Sequence, residues 1–322
     1  MALAQTWPQV AVVGGGAVGC YYGGLLARAG APVTLIGRAQ HVDAIARDGL
    51  DFEALTFREH VPMQASTEMA AARGARLVLF CVKSTDTDAV ARELAAHLDP
   101  AAWVVGLQNG VDNMERLRAV LPNPVVPAVV YVACAMAGPG HLKHTGRGDL
   151  VIGAAGNAGG NAASPATGGI SADGLQRIAD WFESSGVPCV VSDNVMGELW
   201  AKLLINCAYN PMSALGGARY KRVTALPDAR AMMEAAVREV LAVAEKEGIR
   251  MPSGDWVAKA LALSAAMPEA TSSTAQDLAR GKRTEIDHLN GYVARRGAAL
   301  GVPTPVNQTL HALIKLVEDS LA

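Results

Sequence analysis

The sequence predicts an α/β domain followed by an all-α domain, and three observations predict it. Short apolar runs alternate with stretches of helical periodicity over the first part of the chain. Strand-like patterning stops near residue 193, and from there apolar residues recur at helical spacing. The chain of 322 residues is also long enough for two domains, so the boundary is drawn between 192 and 193.

The elements follow in order. Val10 to Val13 is an apolar run that leads into Gly14-Gly15-Gly16-Ala17-Val18-Gly19, and residues 18–29 then read as a small-residue helix closed by Gly30. Gly14 suits a tight turn, Gly16 lets a pyrophosphate approach the backbone, and Gly19 allows close helix packing, while the helix N-terminus offers amides to an anion. Strand, glycine loop and helix in this order predict that residues 1–192 form a Rossmann-type dinucleotide-binding domain. The next strand, residues 32–36, ends in Gly37-Arg38, with no carboxylate to hold a ribose 2'-hydroxyl; Asp43 and Asp48 lie too far along. A guanidinium there pairs with a 2'-phosphate, which favours NADP over NAD; the plainer alternative is that Arg38 only caps loop structure.

Two further strands, 76–85 and 103–110, end in polar residues, and in a parallel sheet such carboxyl ends face the ligand crevice. Lys83 and Asn109 are therefore candidates for contacting the ribose or nicotinamide region, or else ordinary loop-entry residues. Residues 125–136, 141–147 and 149–152 read as antiparallel strands completing the sheet. The stretch 153–169 is little but Gly, Ala, Asn and Ser and reads as a mobile surface loop; a helix over 175–182 and a strand over 187–191 close the domain.

In the second domain, residues 195–215 form one long helical pattern. On it Lys202, Asn206 and Asn210 are four apart and project from one face beside an apolar stripe. Partial burial disfavours an ammonium ion, which suits Lys202 to proton transfer, and the amides suit a polar substrate; the plainer alternative is a polar solvent edge. Met232, Met233, Ala236, Val237, Val240, Leu241 and Ala244 predict a core-facing helix that ends at Gly248. Ser272 to Leu278 precedes Lys282 to Asp287, after which Ile286, Leu289, Val293 and Leu300 make an apolar face. Glu285 sits near that helix's start, where an acidic residue is also expected simply to stabilise the N-terminus.

Composition narrows the function classes. Net charge is −2 with no basic run, which argues against a nucleic-acid partner. Five scattered cysteines without a Cys-x-x-Cys pair suit reduced, buried thiols. The N-terminus has no basic n-region, and no apolar stretch reaches the roughly 20 residues of a membrane span, so a soluble, cytoplasmic protein with no membrane partner is expected. His141 and His144 stand between glycines without neighbouring carboxylates or thiols, so no metal site is expected. No Gly-x-Ser-x-Gly elbow or Ser-His-Asp ordering supports covalent catalysis, which leaves hydride transfer. The Ala- and Met-rich helices offer a face for a homodimer.

These motifs together resemble the ketopantoate reductase family, 2-dehydropantoate 2-reductase, across nearly the whole chain. The resemblance rests on the Gly14 to Gly19 loop, Cys81-Val82-Lys83, Gln108-Asn109-Gly110, Trp200-Ala201-Lys202 through Asn210-Pro211, Ser272-Ser273 with Gln276-Asp277, and Thr284-Glu285-Ile286-Asp287. It implies NADPH-dependent reduction of 2-dehydropantoate to (R)-pantoate in pantothenate biosynthesis, in an active site between a Rossmann domain and a helical domain. It also implies Lys202 as general acid, with Glu285 binding the substrate hydroxyl and helping to hold Lys202. By the same resemblance Asn206, Asn210 and Ser273 bind substrate, Lys83, Asn109 and Glu285 meet cofactor or substrate, and Arg38 meets the 2'-phosphate. Two departures stand out: Thr274 replaces an expected larger apolar residue, and 153–169 looks like an insertion. Competing readings are a reductase of another branched 2-oxo acid, a 3-hydroxy acid dehydrogenase, and a non-catalytic NADP-binding sensor, against which both Lys202 and Glu285 speak.

Overall fold

The computed structural model describes residues 6–154 and 169–321, so the glycine-rich stretch expected to be a surface loop falls, at 155–168, outside the described residues. The described chain divides into two compact units, one running from the N-terminal strand to Val195 and the other formed by Asn109–Asp112 together with Met196 onward.

The first unit is an α/β structure. Its elements are β1 (Val10–Val13), α1 (Ala17–Arg28), β2 (Val33–Ile36), α2 (Ala39–Asp48), β3 (Leu50–Glu53), β4 (Arg58–Val61), β5 (Gln64–Ser66), β6 (Leu77–Phe80), α3 (Thr87–Ala95), β7 (Trp103–Gly106), α4 (Asn113–Val120), β8 (Val125–Gly138), β9 (His141–Gly153), α5 (Ala172–Ser184) and β10 (Cys189–Ser192). The sheet order is β4-β3-β9-β8-β7-β6-β1-β2-β5, with β10 also paired to β9. From β5 to β8 every pairing is parallel. Strands β1, β2 and β6 are buried along their whole length, which is why they read as unbroken apolar runs rather than alternating ones.

Alternate residues feed two cores. Val10, Val12, Leu77, Leu79 and Val105 pack on one face with Tyr22 and Leu26 of α1 and Ile178 and Phe182 of α5. Ala11, Val13, Val78, Phe80 and Val104 pack on the other with Leu94 of α3 and Met114 and Leu117 of α4. This is the two-sided covering that a parallel sheet requires.

Beyond β8 the pairing turns antiparallel, and the two strands expected over 141–147 and 149–152 are one strand, β9. The register passes from Tyr131 opposite Asp149 to Val132 opposite Arg147, so Gly148 is the extra residue of a β-bulge. The break in apolar patterning that suggests two strands is this bulge. Strand β3 pairs with the start of β9 and β10 with its end, both parallel.

The second unit is helical: α6 (Val195–Gly216), α7 (Tyr220–Ala225), α8 (Pro227–Lys246), α9 (Trp256–Ala266), α10 (Ser273–Ala279), α11 (Asn290–Leu300) and α12 (Pro305–Ser320). Helix α11 packs on α12, and both pack on α8. Along α8, Met233, Ala236, Val237, Val240 and Ala244 are buried as their spacing predicts, but Met232 is exposed. It lies about a third of a turn off the stripe centred on Met233, Val237 and Val240, so the buried face is narrower than the apolar pattern suggests.

Candidate active site

The glycine loop of the first unit is shaped by close backbone approaches. Gly14 has φ of +112°, and its N–H donates to the Ile36 carbonyl at 2.9 Å. A Cβ on Gly14 would lie 2.7 Å from the carbonyl carbon of Cys81, and one on Gly19 would lie 2.1 Å from the Gly14 oxygen. Gly16 is different. It is exposed, and a Cβ there would meet nothing within 4 Å. Nothing within the chain demands glycine at that position, so the open space suits a ligand lying close against the backbone.

Gly16 is also the N-cap residue of α1, with no side-chain cap and no acidic residue in the first turn. The amides of Ala17 and Val18 precede the first helical bond, so they are oriented toward an incoming anion. Beneath the loop, burial pushes the Cys20 thiol up to about 12 and raises that of Cys81 further still, so neither places a thiolate near the anion's position at neutral pH. The loop thus fits a dinucleotide pyrophosphate.

Arg38 lies two residues past the end of β2, and its backbone carbonyl accepts from the amides of His41 and Val42 at the start of α2. Its side chain is exposed and makes no capping hydrogen bond. Lys83 is half-buried three residues past the end of β6, immediately before a short 3₁₀ turn over Ser84–Asp86. The loop that bears it is fixed by a buried polar network with little local signal in the sequence. Gln108 Nε2 donates to the Val82 carbonyl at 2.9 Å and to Thr87 Oγ1 at 2.8 Å. Asn113 accepts from Thr87 and donates to Ser84 Oγ at 3.1 Å, and Arg116 donates to the Ser84 carbonyl at 2.8 Å.

In the second unit, α6 buries Trp200, Leu203, Leu204, Cys207, Ala208 and Tyr209. Lys202 and Asn206 are half-buried along the same face, and Asn210 at its end is buried. Asn210 Nδ2 lies 3.5 Å from Ser273 Oγ. Of the two serines the sequence offers, Ser273 is exposed, whereas Ser272 is buried and structural: it caps α10 by accepting from Ala275 N–H and donates to the Asn210 carbonyl at 3.0 Å. Asn109 Nδ2 donates to Glu285 Oε2 at 3.3 Å, and His288 Nδ1 pairs with Asp112 at 2.8 Å. Glu285 thus precedes a short 3₁₀ turn, Ile286–His288, rather than opening α11.

That turn is clamped from α12. Glu318 accepts from both the amide and the hydroxyl of Thr284 at 2.6 Å, and Lys315 bridges Glu318 and Asp287 at 2.8 and 2.9 Å. His311 also pairs with Asp287, at 2.7 Å. Burial alone would raise both carboxyls, but these hydrogen bonds outweigh it and hold Glu318 and Asp287 below the usual carboxylate range. A depressed native pKa gives stability that is complete above the ordinary carboxylate range and is lost as pH falls through the native value, here below about pH 4. Glu318→Gln is therefore expected to lower the thermal midpoint at pH 7, with the gap from the parent narrowing below pH ~4. A gap that stays constant across acid titration would refute the clamp's ionic character.

The histidines at 141 and 144 are engaged elsewhere. His141 pairs with Glu53 at 3.1 Å, and His144 contacts the Arg147 carbonyl. All five cysteines are free. Among the described residues no helix is long and apolar enough to cross a membrane.

Comparison with known proteins adds a family to this geometry. The model described as Ketopantoate reductase PanE/ApbA matches residues 10–157, and that of the Ketopantoate reductase PanE/ApbA C terminal matches 194–318. The chain belongs to the ketopantoate reductase family. The crystal structure of a PanE/ApbA family ketopantoate reductase from Ralstonia eutropha JMP134 is 50% identical, with a TM-score of 0.89, covering 97% of this chain and 99% of that one. The 2-dehydropantoate 2-reductase of Halobacterium salinarum is 32% identical over 96% of this chain and 99% of its own. A D-mandelate dehydrogenase solved with NADH and anilino(oxo)acetate shares the fold, with a TM-score of 0.86 at 22% identity over 97% of this chain and 99% of that one. As a member of the ketopantoate reductase family, the protein is an oxidoreductase acting on CH–OH groups.

Proposed function

We propose that the protein reduces 2-dehydropantoate to (R)-pantoate with NADPH, a step of pantothenate biosynthesis. The observation that carries this reading is the face of α6, on which Lys202, Asn206 and Asn210 are the polar residues of an otherwise largely buried stretch. Family membership supports the substrate, and the exposed guanidinium of Arg38 at the end of β2 supports the phosphorylated form of the dinucleotide. Residues Gly14 to Gly19 hold the pyrophosphate in this reading, with Lys83 and Asn109 nearer the nicotinamide.

When bound, the nicotinamide supplies hydride to the keto carbon. As negative charge grows on the carbonyl oxygen, the Lys202 ammonium donates a proton to it, which yields the alcohol and a neutral amine. Glu285, steadied by Asn109, accepts a hydrogen bond from the substrate hydroxyl and helps hold Lys202. Asn206, Asn210 and Ser273 orient the carboxylate and hydroxyl, so the keto carbon is presented in one pose. A second substrate, another branched 2-oxo acid, is favoured by one observation: Thr274 is small and polar and is buried beside the Ser273 position.

The test is absorbance-monitored NADPH oxidation by the purified protein with 2-dehydropantoate, beside NADH and a panel of 2-oxo acids. Turnover confined to 2-dehydropantoate and NADPH is expected. Arg38→Ala should raise the KM for NADPH by about tenfold or more and leave that for NADH unchanged. Turnover only with another acid replaces the substrate and keeps the mechanism; no turnover on any acid favours an NADP-binding sensor.

A further inference from the structure

Helix α6 carries a proline in its interior, Pro211. Proline has no N–H, so the carbonyl four residues earlier, that of Cys207, loses its helical partner, and the ring crowds that same carbonyl. Cys207 is 0% exposed, so water does not satisfy it either. The missing donor comes from another helix. Asn290, the first residue of α11, donates from Nδ2 to the Cys207 carbonyl at 3.0 Å and to Asn307 Oδ1 at 2.9 Å.

The arrangement continues inward. Asn307 Nδ2 donates to Glu239 Oε2 at 2.7 Å and to the Ala236 carbonyl at 3.2 Å. Glu239 also accepts from the amides of Val306 and Asn307, both at 2.9 Å, and so caps α12 from α8. Both asparagines are 0% exposed. Because the Cys207 carbonyl can only accept, and Asn307 spends its own amide hydrogens on Ala236 and Glu239, the orientation of Asn290 is dictated. A line of donors therefore runs from a carboxylate on α8, through α12 and α11, to the gap that Pro211 opens in α6.

Cys207 stands between Asn206 and Asn210, the two amides assigned to the substrate. We propose that Asn290 is a positioning residue for the active-site helix: its amide replaces the hydrogen bond that Pro211 removes and thereby fixes the turn of α6 that carries Asn206 and Asn210. Ser272 holds the other side of that turn through the Asn210 carbonyl. The inference rests on the proposed function for the roles of Asn206 and Asn210, but the pairing of Asn290 with Pro211 does not depend on it.

A double-mutant cycle on the full-length protein tests it. Asn290→Ala is expected to lower kcat/KM for 2-dehydropantoate about tenfold while leaving the Kd for NADPH within about twofold. Pro211→Ala retains most of the activity, because an alanine at that position supplies its own N–H to the Cys207 carbonyl. In that background the Cys207 carbonyl no longer needs Asn290, so P211A/N290A is expected to recover to within about threefold of P211A. If N290A alone fails to fold, the double variant is still expected to fold and turn over. Additive losses would overturn the proposal, as would an N290A enzyme with a lowered thermal midpoint but unchanged kcat and KM. Hydrogen exchange of the peptide spanning 205–214 should rise in N290A and return in the double variant. That readout needs no substrate: a parent enzyme inactive on 2-oxo acids would remove the functional reading, and unchanged exchange in N290A would separately remove the pairing.

Discussion

Lys202→Ala is expected to leave a folded protein that binds NADPH and to lower turnover by about 10²–10⁴-fold. The position is half-buried on a long helix, and alanine is the better helix former, so the substitution opens no large cavity and breaks no cap. What it removes is the proton donor, which contributes about that factor when correctly placed. Lys202→Arg separates charge from proton transfer. The guanidinium keeps the positive charge but does not release a proton in this pH range, so K202R should be nearly as impaired as K202A. The measurement is single-turnover NADPH oxidation with cofactor binding followed by fluorescence; wild-type turnover in K202A would rule out the assigned general acid.

The second large effect is expected at the glycine loop, where two glycines should answer differently. Gly14→Ala forces a side chain into φ of +112° and sets its Cβ against the backbone of Cys81 and Val82, at 2.7 and 2.8 Å. Neither neighbour is a flexible side-chain end that can swing away. Destabilisation of about 3 kcal/mol or more is expected, read as a lowered denaturation midpoint. Gly16→Ala meets no atom within 4 Å at an ordinary backbone angle, φ of −84°, so its stability should change by no more than about 1 kcal/mol. Its methyl group nevertheless enters the space assigned to the pyrophosphate, and NADPH affinity should fall by about tenfold or more. A G16A protein that binds NADPH normally would place the cofactor elsewhere.

The contrast between these glycines bears on what a sequence can reveal. The glycine loop and the strands at 10–13, 33–36, 77–80 and 103–106 are legible because each is a local pattern: a run buried on both faces, or a spacing required by a turn. Helix α6 and its polar face are legible for the same reason, since a period of 3.6 is written into neighbouring residues. Strands β3, β4 and β5 are not. They are short and partly polar, and β4 is exposed at Arg58, Glu59 and His60, so their strand character comes from partners distant in the chain.

The supports of the candidate site escape the sequence for a related reason. Ser272 looks equivalent to Ser273 until the fold buries one and exposes the other. Thr284 meets Glu318 across 34 residues, and Asn290 meets Cys207 across 83. Pro211 is visible as a helix breaker, but nothing nearby announces which residue supplies the hydrogen bond it forfeits. Such pairs have no spacing rule, so only the folded chain connects them.

The placement of β9 bears on how the chain is made. Strand β3 is synthesised by residue 53, yet the strand it pairs with begins only at residue 141, and β10, at residues 189–192, pairs at the other end of that same strand. On the ribosome the β3–β4 hairpin must wait with an unfilled edge while some ninety further residues emerge, at about 5–20 residues per second a delay of several seconds. Contacts of such long range fold slowly, and an edge left open for that time is where nascent chains cling to one another. The short length of β3 and its own acidic residues, Asp51 and Glu53, are what guard that edge until β9 arrives. A version of this gene that placed the β3–β4 segment after β9 would be expected to shed that vulnerable interval.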